Sequence, residues 1–266
     1  MRRNLLPADE ISYSEGIVSG EIYYRHGSMV IGVRERLVEI SMSIQFAKTT
    51  ISPSDLTFSW SDCKRCFWLK YRFGIVASGM MPGLVTSLSS RQEKWYKDKS
   101  SHHFSESLPR GVVESTGLKV QSAPILMGGN PTPFSLMGKY DFLLRYEHGT
   151  YGIIDTKIVG KNNGKGDFYW PQLAAYDHIL ANPATGGKRE VETLGLMVWS
   201  VGEVAYDGST DPMISFPTAY EPIDRDPVRF SKFIADVVKV LLGDMPRPGF
   251  KCGNCSYVSA MKEVCS

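Results

Sequence analysis

No apolar run of the roughly 18 residues needed for a membrane-spanning helix occurs in this sequence, so no membrane partner is expected. Arg2 and Arg3 are not followed by an apolar core or a cleavage-site pattern, which argues against a secretory leader. Charge of one sign is also missing: 30 Lys and Arg face 28 Asp and Glu, for a net charge of +2. A nucleic-acid partner would therefore have to be met by a local basic groove rather than by the whole surface. Cysteine is scarce, five residues in two clusters, and an odd number is no secreted disulfide framework. A reducing, cytoplasmic location follows as an expectation. Internal repeats and low-complexity blocks are absent. So are a glycine-rich phosphate cradle and a nucleophile constellation, which leaves a small-molecule enzyme as the weakest reading.

What is present suits a globular protein. Hydrophobic residues at 42% and charged residues at 22% are ordinary, and 266 residues hold one large domain or two small ones. Residues 1–50 read as an uncertain N-terminal extension. Alternating pieces between Gly16 and Val33 suit a hairpin, and Met42 stands just before the first clear element. Residues 51–266 read as the main domain. Ser52-Pro-Ser-Asp55 resembles a helix start, with a helix through Leu56 to Tyr71 ending near Gly74. A second helix is expected over Pro82 to Lys99 and a loop over 100–118. Strands follow at Lys119 to Leu126, Phe134 to Leu144, Tyr151 to Val159 and Thr193 to Val201, with an edge strand at 213–219. Helices are expected over Trp170 to Leu180 and, from apolar spacing, Asp226 to Leu242. This order implies one α/β domain with a central mixed sheet flanked by helices.

Three segments carry chemistry: Gly138-Lys-Tyr-Asp141, Gly152-Ile-Ile-Asp155-Thr-Lys157 and Gln172-Leu-Ala-Ala-Tyr176. A turn at Glu147-His148-Gly149 lets the first two strands pair, so that both aspartates and the lysine meet at one end of the sheet. Asp141 and Asp155 are hard oxygen donors suited to Mg²⁺ or Mn²⁺, with the Thr156 carbonyl beside them. Period-two alternation puts Lys157 on the face of Asp155, where it orients water or offsets charge. Gln172 and Tyr176, four apart, share a helix face aimed at the same place, with Tyr176 available to a substrate strand.

Two further pairs, Cys63-Lys-Arg-Cys66 and Cys252-Gly-Asn-Cys255, have ligand spacing for tetrahedral Zn²⁺ or a four-cysteine iron–sulfur cluster. Gly253 would permit the tight chelating turn. Either both pairs bind and Cys265 is free, or Cys63 joins Cys252, Cys255 and Cys265 and Cys66 is spare. The long gap from Cys255 to Cys265 favours the pairs. The fold would then bring its N- and C-terminal cysteines together.

The ordered set Asp141, Asp155-Thr-Lys157, Gln172-x3-Tyr176 resembles the PD-(D/E)XK nuclease superfamily, most of all its RecB-like branch with the CRISPR-adaptation exonucleases. The resemblance covers about residues 52–258. It implies a restriction-endonuclease-like core and Mg²⁺- or Mn²⁺-dependent hydrolysis of DNA in repair, recombination or phage DNA processing. Carried over, Asp141 and Asp155 are metal ligands, Lys157 the catalytic lysine, and Gln172 and Tyr176 the downstream motif. Some branch members bind a [4Fe-4S] cluster through an early cysteine and a C-terminal Cys-x-x-Cys with a final cysteine, an arrangement similar to this one. The chain departs from the branch in having no histidine between Pro82 and Lys99, where Glu93 is the nearest substitute. That departure motivates the alternative, a non-catalytic nucleic-acid-binding module on the same fold.

DNA, as ends or single strands, is the expected partner. Lys161 and Lys165, in a Gly/Asn loop beside the aspartates, are the first candidates for phosphate contact. Lys64, Arg65, Lys70 and Arg72, interleaved with Phe67, Trp68 and Tyr71, are a second set, although helical spacing suits those aromatics to a core. His102, His103, His148 and His178 have no ligand-like partners in the sequence.

Overall fold

The computed structural model describes residues 21–25, 28–33, 36–40, 45–76, 83–161, 164, 166–206, 208 and 211–265. They belong to two units, Met1–Gln45 and Phe46–Ser266. In the first, β1 (Glu21–Arg25), β2 (Ser28–Val33) and β3 (Arg36–Ile40) form an antiparallel sheet. The β1–β2 pair is the hairpin suggested by alternation; Gly16 to Gly20 and Met42 lie outside the described residues.

The second unit opens with β4 (Thr50–Ile51) and three short helices, α1 (Pro53–Thr57), α2 (Ser59–Asp62) and α3 (Lys64–Phe73). After α4 (Gly83–Tyr96) come β5 (Gly111–Thr116), β6 (Lys119–Gln121), β7 (Leu126–Met127), β8 (Asn130–Pro131), β9 (Ser135–Lys139), β10 (Phe142–Tyr146) and β11 (Tyr151–Val159). Helix α5 (Gly166–Ala181) leads to β12 (Val191–Ser200), the β13 (Val204–Ala205) and β14 (Met213–Ile214) hairpin, β15 (Thr218–Ile223), α6 (Pro227–Leu242) and α7 (Gly253–Cys265).

The central sheet runs β15-β12-β11-β10-β5. Only β11 and β12 are parallel, which is why a helix, α5, has to connect them. Alternation along the strands divides the apolar residues between two faces. Leu143, Ile153, Leu194, Leu196 and Val198 join the core under α5 and α6, with Leu56, Trp60, Phe67 and Tyr71 from the early helices. Phe142, Leu144, Tyr146, Ile154 and Met197 pack on the other face with Tyr96 of α4 and Phe104. This is a mixed α/β unit with helices on both sides of its sheet.

Five expected elements differ. The strand foreseen over Lys119 to Leu126 is divided: β6 ends at Gln121 beside β9, and Leu126–Met127 pairs with β8. The helix foreseen over Leu56 to Tyr71 breaks at Phe58 and at Cys63, whose extended backbone (φ −162°, ψ 110°) caps α3. Gly74, at φ 69°, ends α3 as foreseen. Residues 100–118 are not all loop, since β5 forms one sheet edge; only Val113 of it is buried, so its sequence shows little apolar alternation. The strand foreseen over Phe134 to Leu144 is interrupted at Tyr140-Asp141, between β9 and β10. The edge strand foreseen at 213–219 is divided: Met213–Ile214 pairs with β13, and Thr218–Ile223 is the true edge beside β12.

Candidate functional site

The interruption after β9 is what delivers Asp141. Buried Tyr140 shares a 2.8 Å hydrogen bond with Ser115, and the Gly117 N–H donates to the Asp141 carbonyl at 3.0 Å. Beyond the Phe142–Ile154 pair of the β10–β11 hairpin, Asp141 and Asp155 are next in register. The turn at 147–149, with Gly149 at φ 96°, makes that hairpin possible.

Asp155 and Lys157 share the α5 face of β11, and Lys157 Nζ forms an ion pair with Asp155 Oδ2. The other oxygen, Oδ1, accepts from Gln172 Nε2 at 2.7 Å, while Gln172 Oε1 accepts from Lys157 at 3.3 Å. Gln172 therefore bridges the acid and the lysine, with Asp155 and Gln172 both buried. Asp141 is held differently: its Oδ2 accepts from the Thr156 N–H at 2.7 Å and from the Thr156 hydroxyl at 2.8 Å.

Tyr176 is buried, and its hydroxyl donates to the Lys139 carbonyl at 2.7 Å. It braces the segment that ends in Asp141 and does not offer its ring to a ligand. Gly138 makes room for it: a Cβ there would lie 2.9 Å from the Tyr176 oxygen and 2.7 Å from Pro53 Cδ.

Electrostatics follow from this burial. Desolvation and the nearby Asp155 charge push Asp141 up to about 6, against the pull of its Thr156 hydrogen bonds. Burial alone would lower Lys157, but Asp155 and Asp141 outweigh it and raise the lysine above its ordinary value. Burial and the same two carboxylates drive the Tyr176 phenol upward, so it stays a neutral donor.

The remaining candidates are placed as follows. Lys161 is exposed just past β11, while Lys165, Asn162 and Asn163 lie outside the described residues. Glu93 of α4 is paired with Lys139 at 2.9 Å. The cations around α3 are engaged within the fold: Lys70 with Asp55 at 2.8 Å, Arg65 with the Pro246 carbonyl at 2.9 Å, Lys64 over Trp60 and Arg72 over Trp68. Phe67, Trp68 and Tyr71 are buried. His102 pairs with Glu106, His148 with Glu192, and His178 packs on Phe230.

A second site joins the two ends of this unit. Cys63, Cys66, Cys252 and Cys255 place their sulfurs within 4.8 Å of one another, the one group of three or more metal-donor side chains among the described residues. Individual separations are 3.5 Å (Cys66–Cys252), 3.7 Å (Cys66–Cys255) and 3.8 Å (Cys63–Cys255). Cys265 is exposed and outside the group, so the two pairs are the set that the fold assembles. The Gly249 N–H donates to Cys63 Sγ at 3.2 Å. Burial raises the Cys63 thiol, but N–H donation from Cys66 and Gly249 outweighs it and brings the value down to about 7. The close-approach glycine is Gly249 and not Gly253, which simply starts α7: a Cβ on Gly249 would lie 2.8 Å from the Asp62 carbonyl, whereas one on Gly253 meets nothing. The cluster can hold a metal ion or a cluster of metals.

The sequence offers the Thr156 carbonyl but not its side chain, and three further residues go unnoticed. Thr156 clamps Asp141 with its side chain, and Tyr169 lies under Lys157, 4.6 Å from ring centroid to Nζ. Phe168 and Phe58 adjoin Tyr169. The period-two rule already turned Thr156 away from Asp155; nothing local signalled the other three.

No family model matches the chain, and no curated protein matches it. Among solved structures, one described as the crystal structure of SSO0001 is similar at 16% identity and a TM-score of 0.49, over 80% of this chain and 85% of that one. Among the described residues, no helix is long and apolar enough to cross a membrane.

Proposed function

We propose that this chain is a divalent-cation-dependent deoxyribonuclease built on a restriction-endonuclease-like core of the PD-(D/E)XK type. The observation that carries this reading is the joint placement of Asp141, Asp155, Lys157 and Gln172 at one end of the β10–β11 hairpin. Two hard carboxylates at a partly buried strand end suit Mg²⁺ or Mn²⁺, and Asp141 spends only its Oδ2 on Thr156. When bound, such a cation activates water and offsets charge on the phosphate. Lys157 places an ammonium beside the same carboxylates, where it neutralises a phosphate oxygen of the strand being cut. Gln172 keeps Asp155 and Lys157 aligned, and Tyr176 with Gly138 fixes the segment that delivers Asp141.

Cleavage of DNA by the purified protein with Mg²⁺ or Mn²⁺ tests the reading. Asp155→Asn and Lys157→Ala should each lower the rate about a hundredfold or more, with circular dichroism showing the fold retained although breaking their buried ion pair lowers the melting temperature. An Asp155→Asn protein that cuts as fast as the parent would sink it. Engagement of both Asp155 oxygens, by Lys157 and Gln172, favours a second reading, a binding module on the same fold. DNA shifted in a gel but never cut would select that one.

For the cysteine centre the same geometry supports a single tetrahedral Zn²⁺. Zinc–sulfur bonds of about 2.3 Å give tetrahedron edges of about 3.8 Å, close to the three separations above, which involve Cys66 or Cys255. A four-iron cluster, with one thiolate on each iron, holds its sulfurs farther apart.

A further inference from the structure

Beside Lys157 the chain exposes aromatic surface that folding alone does not call for. Phe58 is 43% exposed and Phe168 is 39% exposed. Their ring centroids are 5.6 Å apart, and each also lies against Tyr169, at 6.0 Å and 5.1 Å. Tyr169 in turn lies 4.6 Å beneath the Lys157 ammonium. Phe58 occupies the junction that ends α1 and caps α2, with no side-chain cap bond. Its backbone there is helical (φ −89°, ψ −70°), and its ring is turned outward rather than into the core. Phe168 sits in the first turn of α5 with Asp167, directly after the loop that carries Lys161.

We infer that Phe58 and Phe168, backed by Tyr169, form a stacking subsite for one unpaired nucleobase next to the phosphate held at Lys157. This inference rests on the nuclease reading and narrows its substrate to single strands or frayed ends. The steps of 4.6 Å and 6.0 Å keep Phe58 within about three nucleotides of the lysine, at about 3.4 Å per nucleotide. A base in a duplex has both faces covered by its neighbours and cannot use such a platform; an unpaired base can, irrespective of sequence, because every base has a π face. Edge-to-face packing among the three rings holds the platform rigid before the strand arrives.

The test uses full-length protein without added Mg²⁺ and a short single-stranded oligodeoxynucleotide carrying a fluorescent adenine analogue. The parent protein should quench the analogue on binding, as stacking does. Phe58→Leu/Phe168→Leu keeps apolar packing between α1 and α5 but removes both exposed π faces. It should weaken single-strand affinity about tenfold and abolish the quench, leaving affinity for a blunt duplex and the melting temperature unchanged. Single-strand affinity within twofold of the parent would overturn the inference, as would an equal loss on duplex and single strand. A parent protein that quenches the analogue but never cuts DNA with Mg²⁺ supports the subsite while removing the hydrolytic reading.

Discussion

Asp141 and Thr156 are joined twice through one oxygen: both the amide and the hydroxyl of Thr156 donate to Asp141 Oδ2, at 2.7 Å and 2.8 Å. The arrangement turns the carboxylate so that Oδ2 is spent within the protein, and in the proposed site Oδ1 is the oxygen that would meet a cation. Thr156→Val keeps the shape and the amide bond but deletes the hydroxyl bond. It should cost about 1 kcal/mol of stability in a urea titration. The Mg²⁺ concentration for half-maximal cleavage should rise several-fold, and Thr156→Ser should restore it. An unchanged Mg²⁺ dependence in Thr156→Val would show that the clamp does not orient Asp141.

Gly138 of β9 lies directly against Pro53 of α1 and Tyr176 of α5. An alanine methyl would press on the rigid Pro53 ring and the Tyr176 hydroxyl, at 2.7 Å and 2.9 Å. Gly138→Ala should therefore lose about 1–3 kcal/mol. Because part of the clash is with the Tyr176 oxygen, Tyr176→Phe should relieve some of it. The double variant should then be more stable than the sum of the single losses implies, a coupling that denaturant titration of all four proteins measures.

The legible parts of this fold were those governed by short-range periodicity. Strand β11 follows its β-branched alternation from Tyr151 to Val159, and α6 begins at the Asp226 cap, whose carboxylate accepts from the Arg229 N–H. The placement of Asp155, Lys157 and Gln172 followed from the same periods. What could not be read depends on distant partners. The break that frees Asp141 is held by Ser115 and Gly117, and the turn beside the cysteines depends on Gly249 touching Asp62. Phe58 falls inside the single helix foreseen over Leu56 to Tyr71, and the break between α1 and α2 that accompanies its exposure comes at that residue. Tyr176 looked available to a ligand because nothing local revealed its Lys139 partner.

His178 gives the unit a predictable acid sensitivity. Burial lowers its pKa below the ordinary value of about 6.5, which the unfolded chain recovers. As the pH falls below that value, the unfolded chain takes up a proton before the folded one does. The His178 contribution is thus intact above about 6.5 and declines down to the folded value. Asp177 beside it does not offset this cost, being paired with Arg225 at 2.9 Å. His178→Gln should flatten this part of the profile, so that unfolding midpoints at pH 7.5 and 5.5 differ less than in the parent. An equal difference in both proteins would assign the acid sensitivity elsewhere.

The cysteine centre should stabilise the unit without taking part in cleavage. It ties the start of α3 to the start of α7, and the chain before α7 is already attached through Trp68 to the Gly243 carbonyl and Arg65 to the Pro246 carbonyl. A metal ion bound only by the folded chain adds its binding free energy to folding. The unit has its own apolar core, so removal should weaken it rather than unfold it. A loss of about 3 kcal/mol, comparable to that of a disulfide staple, would lower the melting temperature by roughly 6–12 °C. Metal analysis of the purified protein should find one zinc per chain and no visible absorbance band. Cys66→Ser and Cys255→Ser should lose the zinc and the melting temperature together, whereas Cys265→Ser should keep both, since its sulfur is outside the group. Below their melting temperatures the zinc-free variants should still cut DNA with Mg²⁺, because the cysteines contact one another and Gly249 whereas Asp141 and Asp155 are held by Thr156, Lys157 and Gln172. A variant that remains folded but no longer cuts would instead place the cysteine centre within the reaction.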